Sequence, residues 1–585
     1  MKKFTFLRNT LAAIVLLAST SVLAQPLTPT FTEATTVLNG GKLKMQFEAA
    51  AAWGDFDNDG YLDLITTGRS DNGPEYTALY KNNGDGTFTE LTHTIAHVRG
   101  NPSLTWLDYD NDGNLDLFLT GRSEEAPLNE NGQDGKTAKL YKGNGDGTFV
   151  EVFEDFFYGV NNNNDNANRT RSVAVADYNN DGWVDIYYHG DNNGKQGRLY
   201  KNNQGTGFTL IDTPVDGTDE LLKFDSGSAA WGDVNNDGYL DLFVSGVTPD
   251  GKRTVIYLNN GDGTLATPYY SNVGAEKGEQ ALLDFDNDGQ LDYIVTGWCG
   301  DDDYSWMNSI YQNNGDMTFT EIKSDVSNLP GTESTSLDYG DVNNDGHVDI
   351  IMTRSHPNAV FLNNAGDGTF TRVNLPDGHN WERGAASFAD YDNDGFMDAL
   401  TMGEGYDTNL YRNEGGAGIS ANTAPSVPTD LDAVTGTDGV VTFTWAASTD
   451  PEGSSLQYNL YVKKSDGTFI TFLLPAIEAT GKLKVNERLA GLVTTSYKMT
   501  GLVYGEEYTF GVSAIDNGKM SSAFATKVFT IQNTTGINSN LSAKTPKSVQ
   551  YFDLTGKAVN GTAKGIVIKK TIYKDGSVEN SKEIK

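Results

Sequence analysis

Short apolar and polar runs alternate along this 585-residue chain, and the same order of runs returns seven times between residues 49 and 413. In the first unit, the apolar stretch AAAAWGD enters a polar loop and a second apolar run, LDLITTG, leaves it. A third run, TALYKNN, is joined by an NNGDGT turn to a fourth, TFTEL. Asn-Gly and Asp-Gly are strong hairpin signals because both residues tolerate positive φ. The pattern predicts four short strands in each unit and an all-β fold.

The polar loop of each unit reads D-x-(D/N)-N-D-G-x-(L/V/M)-D, in seven copies. Carboxylates at positions 1, 3, 5 and 9, a glycine at 6 and a free carbonyl at 7 form the kind of oxygen-rich loop that Ca²⁺ prefers. Asn179, Asn235 and Asn343 stand at position 3 in three units, so we expect weaker binding there. Without the ion, the carboxylates of one loop would repel each other. We therefore predict up to seven Ca²⁺ ions, which act by stiffening the loops.

The spacing of the loops predicts a closed ring. Successive loops start 53, 69, 56, 51, 57 and 49 residues apart, which is typical of four-stranded propeller blades. The seventh unit lacks a clear fourth strand, whereas FTEATTVL, residues 31–38, reads as an unpaired strand before the first unit. Pairing the two would remove both sheet edges. We predict a seven-bladed β-propeller over residues 25–420, followed by a β-sandwich and a small C-terminal β domain.

Two apolar positions in each unit are expected to pack between blades. One is position 8 of each loop. The other lies two residues before each loop, and its occupants are Trp53, Trp106, Val175, Trp231, Leu282, Tyr339 and Phe388.

These loops and their spacing resemble the FG-GAP or VCBS repeat family, which includes integrin α-subunit propellers and many secreted bacterial proteins. The resemblance implies that each loop joins the first two strands of a blade on one face and holds Ca²⁺. The ligands it implies at positions 1, 3, 5, 7 and 9 are Asp55, Asp57, Asp59, Tyr61, Asp63, Asp108, Asp110, Asp112, Asn114, Asp116, Asp177, Asn179, Asp181, Trp183, Asp185, Asp233, Asn235, Asp237, Tyr239, Asp241, Asp284, Asp286, Asp288, Gln290, Asp292, Asp341, Asn343, Asp345, His347, Asp349, Asp390, Asp392, Asp394, Phe396 and Asp398.

Two further modules follow a Pro- and Thr-containing linker near residue 421. Residues 424–533 resemble a fibronectin type III domain through Trp445 and through Leu502, Gly505 and Tyr508 in an L-x-x-G-x-x-Y spacing, with Tyr508 as the corner tyrosine. Such modules usually act as spacers. Residues 540–585 are similar to the C-terminal sorting domains of Bacteroidetes type IX secretion, through YFDLTGK and KGI. A plain small β domain is the alternative for this last segment.

The N-terminus and the composition point outside the cell. A basic start, an apolar run and Val22 and Ala24 placed for cleavage predict a signal peptide over residues 1–24. A single cysteine excludes an internal disulfide, and we expect no transmembrane segment in the mature chain. The net charge of −36 argues against a nucleic-acid partner. We therefore expect a secreted monomer, or one on the outer-membrane surface of a Gram-negative bacterium.

The face opposite the loops carries the candidate ligand site, an assignment of faces that follows from the family resemblance. Arginine offers paired donors to a carboxylate or sulfate, and tryptophan offers a flat surface to a sugar ring. We expect a glycan as ligand or, less favoured, a cell-surface or matrix protein. The alternative for the same residues is pairing with local acids. The candidate residues are Arg69, Arg122, Arg253, Trp298, Arg354, Trp381 and Arg383.

No nucleophile elbow or zinc-binding helix motif is present in the sequence, so we assign no catalytic residue. A polysaccharide lyase on a calcium-bearing propeller is the alternative function. It would need a base next to a group that neutralises a uronate, and His356 with Arg354 or His379 with Arg383 are the candidates.

Overall fold

The computed structural model describes residues 26–34, 37–38, 41–69, 73–123, 135–153, 157, 172–189, 197–217, 220–224, 227–266, 268–271, 273–275, 278–298, 306–331, 336–353, 358–376, 384–403, 408–436, 439–486, 491–531, 546–552, 557–560, 566–573 and 578–584. The predicted signal peptide, residues 1–24, lies outside the described residues. No helix in these ranges is long and apolar enough to span a membrane.

The repeat folds into four-stranded antiparallel sheets, and each sheet is one blade. A short strand, β1 (Phe31–Glu33), precedes the first blade. The strands of blades 1 to 4 are β2 (Phe47–Gly54), β3 (Asp63–Arg69), β4 (Glu75–Asn82) and β5 (Phe88–Leu91); β6 (Arg99–Leu107), β7 (Asp116–Ser123), β8 (Gly135–Gly143) and β9 (Phe149–Val152); β10 (Ser172–Ala176), β11 (Asp185–His189), β12 (Arg198–Asn202) and β13 (Phe208–Ile211); β14 (Gly227–Gly232), β15 (Asp241–Thr248), β16 (Gly251–Tyr257) and β17 (Tyr269–Ser271).

Blades 5 to 7 continue the series, with a four-residue helix, α1 (Ser324–Ser327), between blades 5 and 6. Their strands are β18 (Gln280–Leu283), β19 (Asp292–Trp298), β20 (Trp306–Asn313) and β21 (Phe319–Ile322); β22 (Leu337–Gly340), β23 (Asp349–Met352), β24 (Ala359–Asn363) and β25 (Phe370–Asn374); β26 (Ala386–Ala389), β27 (Asp398–Thr401) and β28 (Asn409–Asn413).

Strand β1 closes the ring. It pairs antiparallel with β28, with Phe31 opposite Asn413 and Glu33 opposite Tyr411, and so becomes the fourth strand of blade 7. This pairing confirms the predicted closure. Because the last blade is built from both ends of the repeat, this pairing joins the two ends and completes the fourth strand of blade 7.

The core lies between neighbouring blades, where the sequence placed it. The predicted packing residues Trp53, Trp106 and Phe388 are 2%, 2% and 0% exposed. Blades approach closely at these points, since a Cβ on Gly54 would lie 2.7 Å from Trp106 Nε1. The position 8 residues of all seven loops are also buried, and they are Leu62, Leu115, Val184, Leu240, Leu291, Val348 and Met397.

Residues after the propeller form a sandwich of two sheets. Trp445 packs in its core against Tyr458, and the Tyr508 hydroxyl accepts a hydrogen bond from the Val503 N–H at 3.1 Å, as expected of a corner tyrosine. The strands are β29 (Thr429–Thr435), β30 (Val441–Ala446), β31 (Gln457–Lys464), β32 (Phe469–Phe472), β33 (Ser496–Met499), β34 (Glu507–Ile515) and β35 (Ala525–Thr530), in sheet orders β29-β30-β33 and β32-β31-β34-β35.

The C-terminal residues form a separate small sheet. The propeller and the sandwich belong to one compact unit, and this sheet belongs to another. Its order is β37-β36-β38-β39. The strands are β36 (Pro546–Phe552), β37 (Ala558–Val559), β38 (Ile566–Tyr573) and β39 (Val578–Ile584).

Candidate functional site

Each aspartate loop, the nine-residue motif between the first two strands of a blade, is folded around its first and last carboxylates. In the first loop, Asp55 accepts hydrogen bonds from the N–H groups of Asp59 and Gly60, both at 3.0 Å. Asp63 accepts bonds from the Phe56 N–H at 3.1 Å and the Asn82 N–H at 2.7 Å. The bonds to position 1 recur in the other six loops, so the seven loops share one local conformation.

Carboxylates from positions 1, 3 and 9 converge within the loops. In four loops, one oxygen of each of the three lies within 4.8 Å of the others. The other three loops have asparagine at position 3, and its amide oxygen is also able to ligate a hard cation. The position 5 carboxylate is turned differently, because Asp59 accepts the Tyr61 N–H at 3.0 Å. The four groups are Asp55, Asp57 and Asp63; Asp108, Asp110 and Asp116; Asp284, Asp286 and Asp292; and Asp390, Asp392 and Asp398.

The chemistry of these groups fits a hard divalent cation. Burial, together with neighbouring carboxylates, raises the pKa of Asp63 to about 8 and that of Asp116 to about 9, so two negative charges are costly there without a cation. Asp57 Oδ1 and Asp110 Oδ1 are buried without a hydrogen-bond partner among the described residues, which leaves an oxygen for a metal. All donors are oxygens, the ligands of Ca²⁺ or Mg²⁺ rather than of a soft transition metal.

One position near the end of the third strand differs between blades, and a cationic side chain there adds positive charge beside the aspartate loop. In blade 1, Lys81 forms ion pairs with Asp57 and with Asp59, the second at 2.7 Å. The other cationic residues at this place also form ion pairs with their loops, whereas the leucines cannot. The loops therefore differ in net charge although their backbones are alike. The equivalent residues in blades 2 to 7 are Lys142, Lys201, Leu258, Gln312, Leu362 and Arg412.

A belt of asparagine side chains, formed by position 4 of the loops, joins neighbouring loops. The Asn111 amide donates to the Gly182 carbonyl at position 6 of the next loop, at 2.9 Å. All seven asparagines have φ between 52° and 63°, a left-handed conformation that asparagine tolerates. The belt is irregular at Asn58, which bonds Asn114 Oδ1 instead, and at Asn180, whose amide has no partner among the described residues. The same bond to the next loop is made by Asn236, Asn287, Asn344 and Asn393.

A second set of buried asparagines, at the end of each third strand, ties each blade to the one before it. Asn82 donates to the carbonyl of Leu62 in its own loop at 3.0 Å and to that of Tyr391 in blade 7 at 2.8 Å. Blade 2 has Gly143 at this place, and a Cβ there would lie 2.1 Å from the Leu115 carbonyl oxygen. The junction of blades 1 and 2 therefore lacks this tie. The equivalents with the same pair of bonds are Asn202, Asn259, Asn313, Asn363 and Asn413.

The sandwich packs against the aspartate-loop face, a docking that the expected role as a spacer did not indicate. Its segment 482–486 lies next to the end of β2, where Val485 forms a β-bridge with Gly54. The Lys484 carbonyl accepts the Asp55 N–H at 2.8 Å. Val485 is 6% exposed and belongs to the apolar cluster between blades 1 and 2. The sequence did not indicate this docking because single, unrepeated residues make the contacts.

The sandwich reaches the loop region of every blade. Lys482 donates to the Gly60 carbonyl at 2.7 Å, and Asn517 donates to the Gly346 carbonyl at 2.9 Å. The Thr500 N–H bonds the Asn180 carbonyl at 3.1 Å. Most of these propeller groups are backbone atoms, so the docking depends on the loop conformation. The propeller residues in the contacts, from blade 1 to blade 7, are Gly60, Gly113, Asn180, Asp237, Asn287, Gly346 and Asn393.

Two of the predicted ligand-binding arginines come together at the opposite end of blades 1 and 2. Strands β3 and β7 start at the last aspartate of a loop and end near Arg69 and Arg122, roughly 20 Å away at strand geometry. Arg99 begins β6, which runs towards the second loop, and lies opposite Arg122 in the sheet. These three arginines therefore share the face away from the aspartate loops.

Two buried glutamates organise these arginines into one cluster, which we call the arginine cluster: Glu48, Arg69, Glu75, Arg99 and Arg122. Arg69 lies 3.5 Å and Arg99 3.9 Å from the Glu48 carboxylate, and Arg99 Nε donates to Glu75 at 3.0 Å. Glu48 is 4% exposed and has φ 48°, at a register shift in β2. Arg122 Nε has no hydrogen-bond partner among the described residues. The cluster thus carries one more positive than negative charge.

Arg253 and Trp298, two other predicted ligand residues, do not join this cluster. Arg253 lies 5.7 Å from the ring centre of Tyr270 in blade 4, and Trp298 in blade 5 has the Lys252 ammonium 3.5 Å above its ring. Arg354, Trp381 and Arg383 lie outside the described residues, as do the lyase candidates His356 and His379.

Sequence reasoning missed two sets of residues. No pattern in the sequence indicated Glu48 or Glu75, because neither glutamate recurs at the equivalent position of other units and neither belongs to a motif. The position 4 asparagines did have a sequence signal, because asparagine occupies that place in all seven loops although it is not a predicted ligand. A residue so regular in a repeat indicates a structural bond, and the belt is that bond.

Family comparisons find both repeat and sandwich in this chain. The FG-GAP-like repeat family matches residues 55–119, 177–244, 284–352 and 341–401, and the fibronectin type III domain matches residues 426–527. The chain therefore contains FG-GAP-like repeats and a fibronectin type III domain.

Curated relatives match only in part. The chain is 36% identical over 105 residues to Exoglucanase B of Cellulomonas fimi, which covers 18% of this chain and 8% of that protein. It is 29% identical over 177 residues to Cartilage acidic protein 1 of Xenopus tropicalis, which covers 29% of this chain and 25% of that protein.

Two solved structures resemble the chain weakly. One is an Agrocybe aegerita lectin that recognises non-reducing terminal N-acetylglucosamine, with a TM-score of 0.36, 17% identity, and coverage of 62% of this chain and 87% of that one. The other is an ulvan lyase of polysaccharide lyase family 25, with a TM-score of 0.38, 12% identity, and coverage of 64% and 95%. At these TM-scores the similarity supports no inference about the site.

Proposed function

We propose that this chain is a secreted, calcium-stabilised propeller that binds an anionic glycan through the arginine cluster. The observation that carries the proposal is the surplus of arginine over glutamate: Glu48 and Glu75 lie beside Arg69 and Arg99, and the Nε groups of Arg69 and Arg122 have no hydrogen-bond partner among the described residues. A guanidinium with free donors binds a carboxylate or sulfate in a bidentate way. The rest of the protein is strongly acidic, so this local positive charge selects for an anion at this place.

The aspartate loops support this site and do not take part in it. Positions 1, 3 and 9 of each loop would hold Ca²⁺, helped by the position 7 carbonyl that the family pattern implies. When bound, the ion supplies a positive charge that compensates the negative charges of the buried carboxylates. The loops lie at the strand ends away from the arginine cluster. Calcium therefore acts on binding only through the stability of the blades.

Export fits this use of calcium. The sequence of residues 1–24 has the form of a signal peptide, and residues 540–585 resemble a type IX sorting domain of Bacteroidetes. We propose that the mature chain works outside the cell or on its outer surface, where millimolar Ca²⁺ is present. Tyr551 and Ile566 of this motif lie in β36 and β38 of the C-terminal sheet, and Lys557 directly precedes β37.

Affinity electrophoresis of the mature chain through gels that contain alginate, heparin or neutral glucan, in millimolar Ca²⁺, tests the proposal. We expect retardation by the uronate-containing or sulfated polymer and none by glucan. Arg122→Gln should weaken retardation at least tenfold, or about 1.4 kcal/mol. Arg372→Gln, a matched change in the outer strand of blade 6, should leave it unchanged.

Equal retardation of the wild-type chain and Arg122→Gln would contradict the proposed site. The same samples are assayed for new reducing ends and for unsaturated uronate absorbance. New chain ends would replace the binding role with that of a lyase or hydrolase, the alternative function. Retardation without new ends is the expected result.

A further inference from the structure

The contacts between sandwich and propeller use atoms that are in place only when the aspartate loops are folded. The Asp55 N–H bonds the Lys484 carbonyl at 2.8 Å, and the Asp341 N–H bonds the Asn517 carbonyl at 2.9 Å. Both donors are backbone N–H groups of position 1 in a loop, and the side chains of these two residues are predicted metal ligands. On the other side, the sandwich donates to the position 6 carbonyls of Gly60 and Gly346. The sandwich therefore forms hydrogen bonds with both N–H and carbonyl groups of the loop backbone.

The asparagine belt and the sandwich also complete one another. At the junction of blades 1 and 2, Asn58 does not bond the Gly113 carbonyl that the pattern would give it. The Lys484 ammonium donates to that carbonyl instead. At the neighbouring junction, Lys482 and Asn393 both donate to the Gly60 carbonyl. The sandwich thus supplies the bond that the belt lacks, so the two structures are energetically coupled.

We propose that the sandwich is a calcium-dependent cap of the aspartate-loop face: it docks on metal-loaded loops and is released when the ion is removed. Two effects oppose each other. Without the ion, the uncompensated carboxylates of the loops attract the Lys482 and Lys484 ammonium groups more strongly. However, repulsion among the carboxylates then opens the loops, and the hydrogen bonds between the loop backbone and the cap are lost together. The cap contacts the loop region of all seven blades, in five of them at a backbone carbonyl, so loop order is the larger effect.

Hydrogen exchange on the mature chain, in excess Ca²⁺ and after chelation, tests the cap directly. The amides to follow are those of Asp55, Asp341 and Thr500, which bond across the interface. We expect them to lose protection at a chelator concentration at which the amides of β3 and β19 stay protected. Persistent protection of all three amides in metal-free protein would overturn the proposal.

A charge-neutral variant keeps the proposal testable if chelation unfolds the blades. Val485→Ser with Asn517→Ala removes an apolar contact and two hydrogen bonds of the interface without changing the charge near the loops. Because coupling is reciprocal, this variant should bind Ca²⁺ at least threefold more weakly. Small-angle scattering should show a larger radius of gyration. The control is Val528→Ser, a change at a 58% exposed site on β35, which should alter neither quantity.

The two opposing effects predict opposite results, so the calcium titration distinguishes them. An unchanged or higher calcium affinity of Val485→Ser/Asn517→Ala would overturn the proposal. The glycan site lies on the other face, so glycan retardation of this variant at saturating Ca²⁺ should equal that of the wild-type chain. A failure of the cap proposal and a failure of the proposed glycan site are therefore separate outcomes.

Discussion

The two faces of the propeller are built by different rules. On the aspartate-loop face, every blade repeats the carboxylates of positions 1, 5 and 9 and the same left-handed asparagine. On the opposite face, the arginine cluster draws on blades 1 and 2 alone, and its two glutamates are not repeated. In a ring of equivalent blades, a feature in every blade holds the ring together, whereas a feature in one or two blades has a particular partner. The comparison supports the proposal that the first face stabilises the ring and that the second binds the ligand.

Removal of the metal should have the largest effect, because it acts on all blades at once. Each site loaded to 100 times its dissociation constant contributes about 2.7 kcal/mol. Chelation should therefore lower the Tm by roughly 10 °C or more. Differential scanning calorimetry in Ca²⁺ and in chelator measures the shift, and a Tm that does not depend on Ca²⁺ would refute a structural role for the loops.

Loss of one buried loop carboxylate should cost the next largest amount. Asp63→Ala removes a 0% exposed group that accepts the backbone N–H groups of Phe56 and Asn82. Two buried donors would be left without acceptors, so we expect a loss of roughly 3 kcal/mol in the free energy of unfolding, measured in urea. Asp85→Ala in the exposed turn of blade 1, where the carboxylate accepts the Thr87 N–H, is the control and should cost much less. Equal losses in the two variants would mean that Asp63 contributes no more to stability than an aspartate in an exposed turn.

A change in the arginine cluster should lower the stability of the folded protein and strengthen ligand binding. Glu48→Gln removes the carboxylate that faces Arg69 and Arg99, so the folded protein should lose roughly 2 kcal/mol. The same change removes a competitor of an anionic ligand, and retardation by the bound polysaccharide should strengthen severalfold. Glu151→Gln breaks a partly exposed ion pair with Lys139 and should change stability by less than about 0.5 kcal/mol. Weaker binding by Glu48→Gln would show that the ligand does not meet the freed arginines.

The third-strand cation should have the smallest effect. Lys81→Leu copies the residue of blades 4 and 6 and removes a positive charge beside Asp57 and Asp59. Calcium affinity of the first loop should rise about fivefold, close to 1 kcal/mol. Leu258→Lys should lower the affinity of the fourth loop by a similar factor. Isothermal titration calorimetry of both variants checks the pair, and shifts in the same direction would contradict the charge argument.

The sequence predicted what is periodic and missed what is not. The strands of the blades, the buried residues before each loop and the closure by β1 all follow from patterns that recur or that complete a recurring unit. Glu48 escaped prediction because a register shift and a positive φ turn it towards the arginines, and neither is visible in a single sequence. The docked sandwich escaped because Val485 and Asn517 are single loop residues whose partners lie far away in the chain.

Among the predicted ligand residues, the structure divides what the sequence had grouped. Arg69 and Arg122 share a cluster because their strands end next to each other in blades 1 and 2. Arg253 and Trp298 belong to blades 4 and 5 and have local partners, Tyr270 and Lys252. Residue type alone nominated all four residues as ligand candidates. Only the blades to which they belong show that two of them share a cluster and that the other two lie elsewhere.

Hydrogen exchange on the mature chain with and without the polysaccharide that retards it, at saturating Ca²⁺, tests the assignment of the two faces most directly. The account predicts new protection in residues 47–48, 68–69, 99–101 and 120–122, at the ends of β2, β3, β6 and β7 away from the aspartate loops. It predicts no change in the loops themselves. Protection confined to the aspartate loops or to the sandwich would contradict it.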